Sequence, residues 1–351
     1  MTPTNTAAIT DWGKDPRLIP QEKTNLEMPL ALADSFHTPT PEFFVRSNGP
    51  TLAVVIDPET WRLRIHGCVN QELSLALVDL QAMAPGTMTA FLECSGNSRS
   101  RFAGHGSPVE GTNWGEGAVG NATWTGVPLR DVLNQAGIKP GAIDVVATGG
   151  DFDSMQRALP VDVATNGDVM LVWEMNGAPL LPIHGGPVRL IVPGWGAIAS
   201  TKWVVDLNVI NHRFDGYWNA DNYVLYDESG AAIGPVTRMP VKSVITTPGE
   251  NARIPAGSVA IEGFAWSGHG GIDRVEISTD DGAHWEAARI IKEAGPLAWV
   301  QFAFTWSASP GDHILQSRAV DREGNVQPTQ ARWNRKGYQM NAIRSVPVVV
   351  T

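Results

Sequence analysis

The sequence predicts a mixed α+β domain up to about residue 235, followed by an all-β sandwich of immunoglobulin-like shape over 236–351. Three observations carry this. From about residue 41 to 235, short apolar runs with helical and strand spacing intermingle without a regular βαβ alternation. From about 236 onward only period-two runs recur, with turn residues between them. The chain has 351 residues, 43% hydrophobic and 18% charged, enough for two cores. Pro235 and Pro240 bracket the expected boundary.

Residues 1 to about 40 hold five prolines and no sustained periodicity, which predicts an extended arm over the surface. Leu73 to Met83 has helical spacing. Val127 to Leu133 reads as a helix opening, with Pro128 near its first turn. Val188 to Val192 is a strand stopped by Pro193-Gly194, and Lys202 to Leu207 is another. In the second unit, Val259–Trp266, Ile272–Ser278, Ala298–Trp306 and His313–Val320 read as strands. Thr279-Asp280-Asp281-Gly282 reads as a strong turn.

The formal net charge is -10 with no long basic run, which argues against a phosphate-contacting nucleic acid face. An acidic surface suits a basic protein partner, and an anionic substrate would need a local positive pocket. No stretch approaches the roughly 18 apolar residues of a membrane span. The N-terminus has neither an apolar signal core nor twin arginines. The expectation is a cytoplasmic protein, or a periplasmic one from which an export signal has been removed. Two cysteines make no disulfide framework, and no CxxCH run offers a covalent haem site.

The densest chemistry lies in Phe91-Leu92-Glu93-Cys94-Ser95-Gly96-Asn97-Ser98-Arg99. An apolar strand delivers a cysteine into a small polar turn, with Arg99 and Arg101 close behind. Nearby positive charge favours thiolate, the form that attacks or binds metal. A buried structural thiol is the competing reading. A second segment, His184-Gly185-Gly186-Pro187-Val188-Arg189, runs on to Thr201-Lys202-Trp203. Cations among glycines at strand ends can hold a phosphate without a Walker motif. A surface loop with scattered charges is the plainer alternative.

Taken in order, these segments resemble the sulfite oxidase family of molybdenum enzymes over about residues 40 to 345. The likeness begins at Phe43-Phe44-Val45-Arg46 and the Cys94 turn. It continues through Trp173-Glu174-Met175-Asn176-Gly177, His184 to Pro193, and Lys202-Trp203. In the second unit it includes Gly263 to Gly268, Asp281 to Trp285, and Asn325 to Pro328.

The resemblance implies a molybdenum–molybdopterin cofactor, with Cys94 as the metal's thiolate ligand, a soft donor suited to it. It implies that His184, Arg189 and Lys202 hold the pterin and its phosphate. Arg46, Ser47 and Asn48 would lie against the cofactor, with Asp151, or nearby Asp153, as a hydrogen-bonding candidate. Arg46 and Arg99 would face the substrate oxyanion, Trp114 would wall the pocket, and Tyr223 would offer its hydroxyl.

Two departures from the family pattern stand out. Lys336 replaces an arginine typical of animal and plant relatives and loses its planar fork, which Arg335 could partly supply. Ala199 stands where some relatives carry a basic residue. Cys68 is read as structural and His105 as a surface-loop histidine.

The implied reaction is oxidation of sulfite, or a related sulfur oxyanion, to sulfate by oxygen-atom transfer. Electrons would pass to an external acceptor, with a c-type cytochrome first and oxygen second, since no haem-binding segment is read in this chain. The sandwich would form a homodimer. A sulfane dehydrogenase subunit acting on protein-bound sulfur is the nearest alternative. Nitrate reduction ranks below it, and a β-sandwich binding module is the non-enzymatic reading.

Overall fold

Two five-stranded sheets build the first unit of the computed structural model, which describes residues 11–22, 24–49, 54–105, 109–151, 155–227 and 229–351. One sheet orders Ala178–Pro179, Met170–Met175, Val119–Pro128 and Gly86–Glu93, with Arg189–Ile191 also paired on Met170–Met175. Both faces of its central strand are covered. Leu171 and Trp173 enter one core, while Met170, Val172 and Met175 enter another that also holds Cys94. That alternation is the period-two geometry of a strand.

The other sheet orders Leu73–Leu75, Leu63–Gly67, Val204–Ile210, Asp144–Gly149 and Gln156–Pro160. Leu63–Gly67 and Val204–Ile210 run parallel. Helix Leu129–Ala136 closes this core with Leu129, Val132, Leu133 and Ala136, the spacing of one helical face.

The unit is more strand-rich than its α+β expectation. Its longest α-helix among the described residues has eight residues. The helix expected over Leu73 to Met83 shrinks to Leu77–Gln81, because Leu73–Leu75 joins the sheet edge. The remaining elements fall close to expectation, including Leu129–Ala136 directly after Pro128. No described helix is long and apolar enough to cross a membrane.

The second unit packs two sheets around one core. One orders Lys242–Thr247, Gly257–Trp266, Val300–Ala308 and Arg289–Lys292. Its partner orders Ala252–Ile254, Ser345–Val350, Gly311–Asp321, Ile272–Ser278 and Glu286–Ala287. Ile261 and Phe302 from the first meet Val275 and Leu315 from the second.

The arm departs most from its reading. Its described part, from residue 11, holds a short strand pair, Ile19–Pro20 with Leu26–Glu27, and one 3-10 turn, and it is no surface strap. Leu26, Met28 and Phe36 are buried in one cluster with Phe91 and Ile198 of the first unit and Trp266 and Trp299 of the second. Apolar side chains between its prolines are what the junction buries. Glu27 is buried too, and accepts from the Gly115 and Gly117 amides at 2.9 and 3.0 Å.

Beneath the Cys94 turn the units share a buried charge network. Lys242 Nζ lies 3.4 Å from both Glu93 Oε1 and Glu116 Oε2 and donates to Ser98 Oγ, which in turn donates to Glu116. Burial pushes the Glu93 carboxyl up. Burial acts on Glu116 the same way, but the charges of Lys242 and Arg101 outweigh it and hold that group down.

Removing one member of such a network leaves buried charge uncompensated. Lys242→Met should cost about 3–5 kcal/mol, read as a fall in urea midpoint. Adding Glu93→Gln and Glu116→Gln should recover part of that loss.

Candidate active site

The strand Gly86–Glu93 ends one residue before Cys94, and the turn that follows is tied down on every side. Cys94 N donates to Ala118 O at 2.9 Å, and Asn97 N to Cys94 O at 2.8 Å. Asn97 bridges further, donating from Nδ2 to Glu93 Oε1 and accepting from Ala118 N at Oδ1. Gly96 leaves room for the Arg99 guanidinium, since a Cβ there would stand 2.3 Å from it and push that side chain aside. The outcome is a buried, free thiol at the boundary of two cavities.

The first cavity is lined by Arg46, Ser47, Asn48, Cys94, Asp151, His184, Arg189, Lys202 and neighbouring apolar residues. Every cofactor candidate read from the sequence therefore faces one space. Asp153, weighed beside Asp151, lies outside the described residues.

The cations here are unusual. Arg189 is buried and donates to His184 O and Ser200 O at 2.9 and 3.0 Å. Burial lowers its pKa to about 9. Burial and then the Arg189 charge hold Lys202 well below the ordinary lysine range, with Asp151 opposing. Lys202 Nζ donates to Ser47 Oγ at 2.7 Å and lies 4.1 Å from the Trp203 ring centroid. His184 is held well below its ordinary range by burial and the charges of Lys14, Arg189 and Lys202, so it is neutral.

Among the described residues, Arg189 and Lys202 make no ion pair with a carboxylate within 4.0 Å. Ser95 Oγ, Thr201 Oγ1 and Arg189 Nε are buried without a hydrogen-bond partner there. Orphaned polar atoms and cations with no carboxylate in direct contact around one cleft fit a polar, anionic ligand such as a pterin phosphate. Gly185, at φ 100°, brings the backbone close, since a Cβ would stand 2.7 Å from Lys202 Cβ.

The second cavity shares Arg46, Cys94 and Tyr223 with the first, adding Arg99, Lys336 and Tyr338. Arg99 donates from Nε to Lys336 O at 2.9 Å and from Nη1 to Thr112 O at 2.6 Å. Arg46 donates to Asn48 Oδ1. Tyr223 OH donates to the same oxygen at 3.0 Å. Tyr223 adopts φ 53°, costly for a bulky residue. Asn222 and the stacked ring of Tyr338, centroids 5.0 Å apart, hold it there.

Four of the five substrate-side candidates thus converge, and Trp114 does not. It is fully buried, clusters with Phe43, Phe44 and Cys94, and lines neither cavity. Its turn lies under the Arg99 segment, where Ser100 N donates to Trp114 O, so the indole backs the Cys94 turn. Lys336, not Arg335, lines the second cavity. Ala199 lines neither, although its neighbours Ala197 and Ile198 line the first. Cys68 is half-buried against the first unit's core, apart from both cavities. The His105 side chain lies outside what the structure describes.

Sequence reasoning missed Tyr338, Ser95, Thr201 and Lys14. Tyr338 follows Lys336 closely and could have been found there. Lys14 carried no signal in a proline-rich arm, yet its buried Nζ lies 2.9 Å from His184 Nε2.

Such a thiol between a cation-lined cleft and an arginine-bearing pocket defines a pterin-binding molybdenum oxidoreductase. Residues 49–218 match the oxidoreductase molybdopterin binding domain, and residues 234–350 the Mo-co oxidoreductase dimerisation domain. Sulfite oxidase of Gallus gallus is 34% identical over 93% of this chain and 76% of its own length. Mitochondrial sulfite oxidase of Drosophila melanogaster is 33% identical over 97% of this chain, which spans 65% of that protein. The sulfane dehydrogenase SoxCD of Paracoccus pantotrophus superposes with TM-score 0.85 and 32% identity, covering 95% of this chain and 86% of that one. The chain belongs to the sulfite oxidase family of molybdopterin oxidoreductases.

Lys14 yields a pH test. Burial lowers its pKa from 10.5 to about 7. Between these values the unfolded chain keeps a proton that the folded one has lost, so stability rises with pH across that window. Below it both states are protonated, and the penalty of the buried charge is fully present. Urea unfolding of cofactor-free protein at about pH 7 and about pH 9 should show this rise, and Lys14→Met should reduce it.

Proposed function

We propose that this chain oxidises a small sulfur oxyanion, with sulfite the leading candidate, at a molybdenum–pterin site held by Cys94. The carrying observation is that Cys94 borders both cavities. One offers buried cations with no direct ion pair for an anionic cofactor, and the other brings Arg46, Arg99 and Lys336 together for an anionic substrate.

His184, Arg189 and Lys202 would hold the pterin phosphate, with the Arg46–Asn48 segment along the cleft. The bound group supplies two-electron redox chemistry and oxygen-atom transfer to sulfur. The chain's own residues bind and orient the anion. Arg46 and Arg99 offset its charge in a partly desolvated pocket, where pairing is stronger than in water. Tyr223, fixed by Tyr338 and Asn48, offers a hydroxyl beside Arg46, 3.5 Å away.

The names of the relatives support sulfur oxidation, and the SoxCD likeness keeps a protein-bound sulfane as the second reading. The strand orders of the second unit support an immunoglobulin-like sandwich, and its match to the dimerisation domain supports the pairing of two chains. The net charge of -10 favours a basic external electron acceptor, a c-type cytochrome first.

Metal analysis with a sulfite and ferricyanide assay tests the whole reading. Protein made in a pterin-competent host should contain molybdenum and reduce ferricyanide in the presence of sulfite. A metal-free, inactive product would count against it.

Cys94→Ser should lose the metal and turnover while keeping the fold, because a hydroxyl is a harder, less acidic ligand. Cys68→Ser should be nearly silent. Arg46→Gln removes a charge-assisted contact worth about 1.5–3 kcal/mol, and kcat/KM for sulfite should fall roughly tenfold to a hundredfold.

A further inference from the structure

The pocket that gathers three cations also contains a carboxylate. Glu110 lines it with Arg46, Arg99 and Lys336. Its Oε2 lies 2.8 Å from Lys336 Nζ, and its Oε1 lies 3.8 Å from Arg335 Nη2. The Lys336 contact first, then the Lys336 and Arg335 charges, hold Glu110 below the usual carboxylate range, so it is ionised at neutral pH.

The three cations are therefore not equivalent. Among the described residues, neither Arg46 nor Arg99 has a carboxylate within 4.0 Å, whereas Lys336 carries one. A free oxyanion must either contend with Glu110 for the Lys336 ammonium, by displacing the carboxylate or sharing the N–H donors with it, or bind without that group. In both cases it approaches a like charge. A carboxylate fixed in the same pocket competes at a high effective concentration.

We propose that Glu110 is a specificity-determining residue of this pocket. It acts as a built-in competitor that occupies Lys336 and disfavours small, highly charged oxyanions. The pocket is thereby biased toward a sulfur substrate with less negative charge at its reacting end, such as a sulfane carried on another molecule. This rests on the sulfur-oxidation reading above. Glu110 is 60% exposed on its side chain and Lys336 27%, so the pair opens to solvent at the pocket mouth. Its influence is electrostatic and can be screened by salt.

The test uses the full-chain holoenzyme at low ionic strength. Glu110→Gln should lower KM for sulfite by about three- to tenfold and leave kcat within about twofold. Inorganic sulfate should bind more tightly by a similar factor in calorimetry, and high salt should shrink both gains. Adding Glu110→Gln to Lys336→Met should change KM by less than about twofold, because the competitor then has nothing to occupy. An unchanged or raised KM and sulfate Kd in Glu110→Gln would overturn the proposal. So would the full gain persisting without Lys336. If the wild type does not oxidise sulfite, the functional reading fails instead, and sulfate calorimetry still decides the role of Glu110.

Discussion

Lys242 belongs to the first strand of the sandwich, yet its ammonium sits among Glu93, Ser98 and Glu116 of the other unit. That contact is the constraint on which the site depends. Glu93 and Ser98 flank the Cys94 turn in sequence, so a lysine fixed to both clamps the turn from below. Trp266 Nε1 reinforces the clamp by donating to Glu93 Oε2 at 2.8 Å. A buried ion network is costly to assemble, but it has one arrangement, and a buried thiol that borders two cavities is held by a support that cannot slide.

Above the clamp, the second unit also builds the far wall of the second cavity. The segment between strands Gly311–Asp321 and Ser345–Val350 crosses back to the first unit. There Lys336 O accepts from Arg99, Ala342 O and Ile343 O accept from Arg101, and Tyr338 stacks on Tyr223. Neither unit alone lines the whole of that cavity. The arm closes the same junction from a third direction, which is why an irregular, proline-rich segment carries buried Leu26, Met28 and Phe36.

The sequence made the strands legible because their side chains alternate and their ends carry glycine and proline. Ile272–Ser278 is recovered to the residue. The helix over Leu73 to Met83 failed because a short apolar run fits either period, and the sheet edge claimed its first residues. At the site, the cofactor side was readable only through the family resemblance, because cations among glycines fit an exposed loop as well as a ligand cleft until the chain folds them around one cavity. Trp114 was misplaced because an indole near a reactive thiol can wall the pocket or back the turn, and only packing decides. Lys14 and Glu110 were invisible for a different reason. Each acts through a residue more than a hundred positions away, His184 and Lys336 respectively, and no local pattern encodes such a pairing.

The charge distribution then makes sense as a whole. The chain is acidic overall, yet its cleft gathers Arg189, Lys202, a neutral His184 and, behind it, Lys14, all depressed first by burial. Burial without a carboxylate partner is unfavourable in a protein that folds alone. It becomes favourable once an anion enters, because the ligand supplies the missing charge and satisfies Ser95, Thr201 and Arg189 Nε together. Binding that favours only the folded state adds directly to stability. The cleft is therefore a part of the core whose last component is an anionic cofactor, and the same physics that weakens the empty protein makes that cofactor hard to lose.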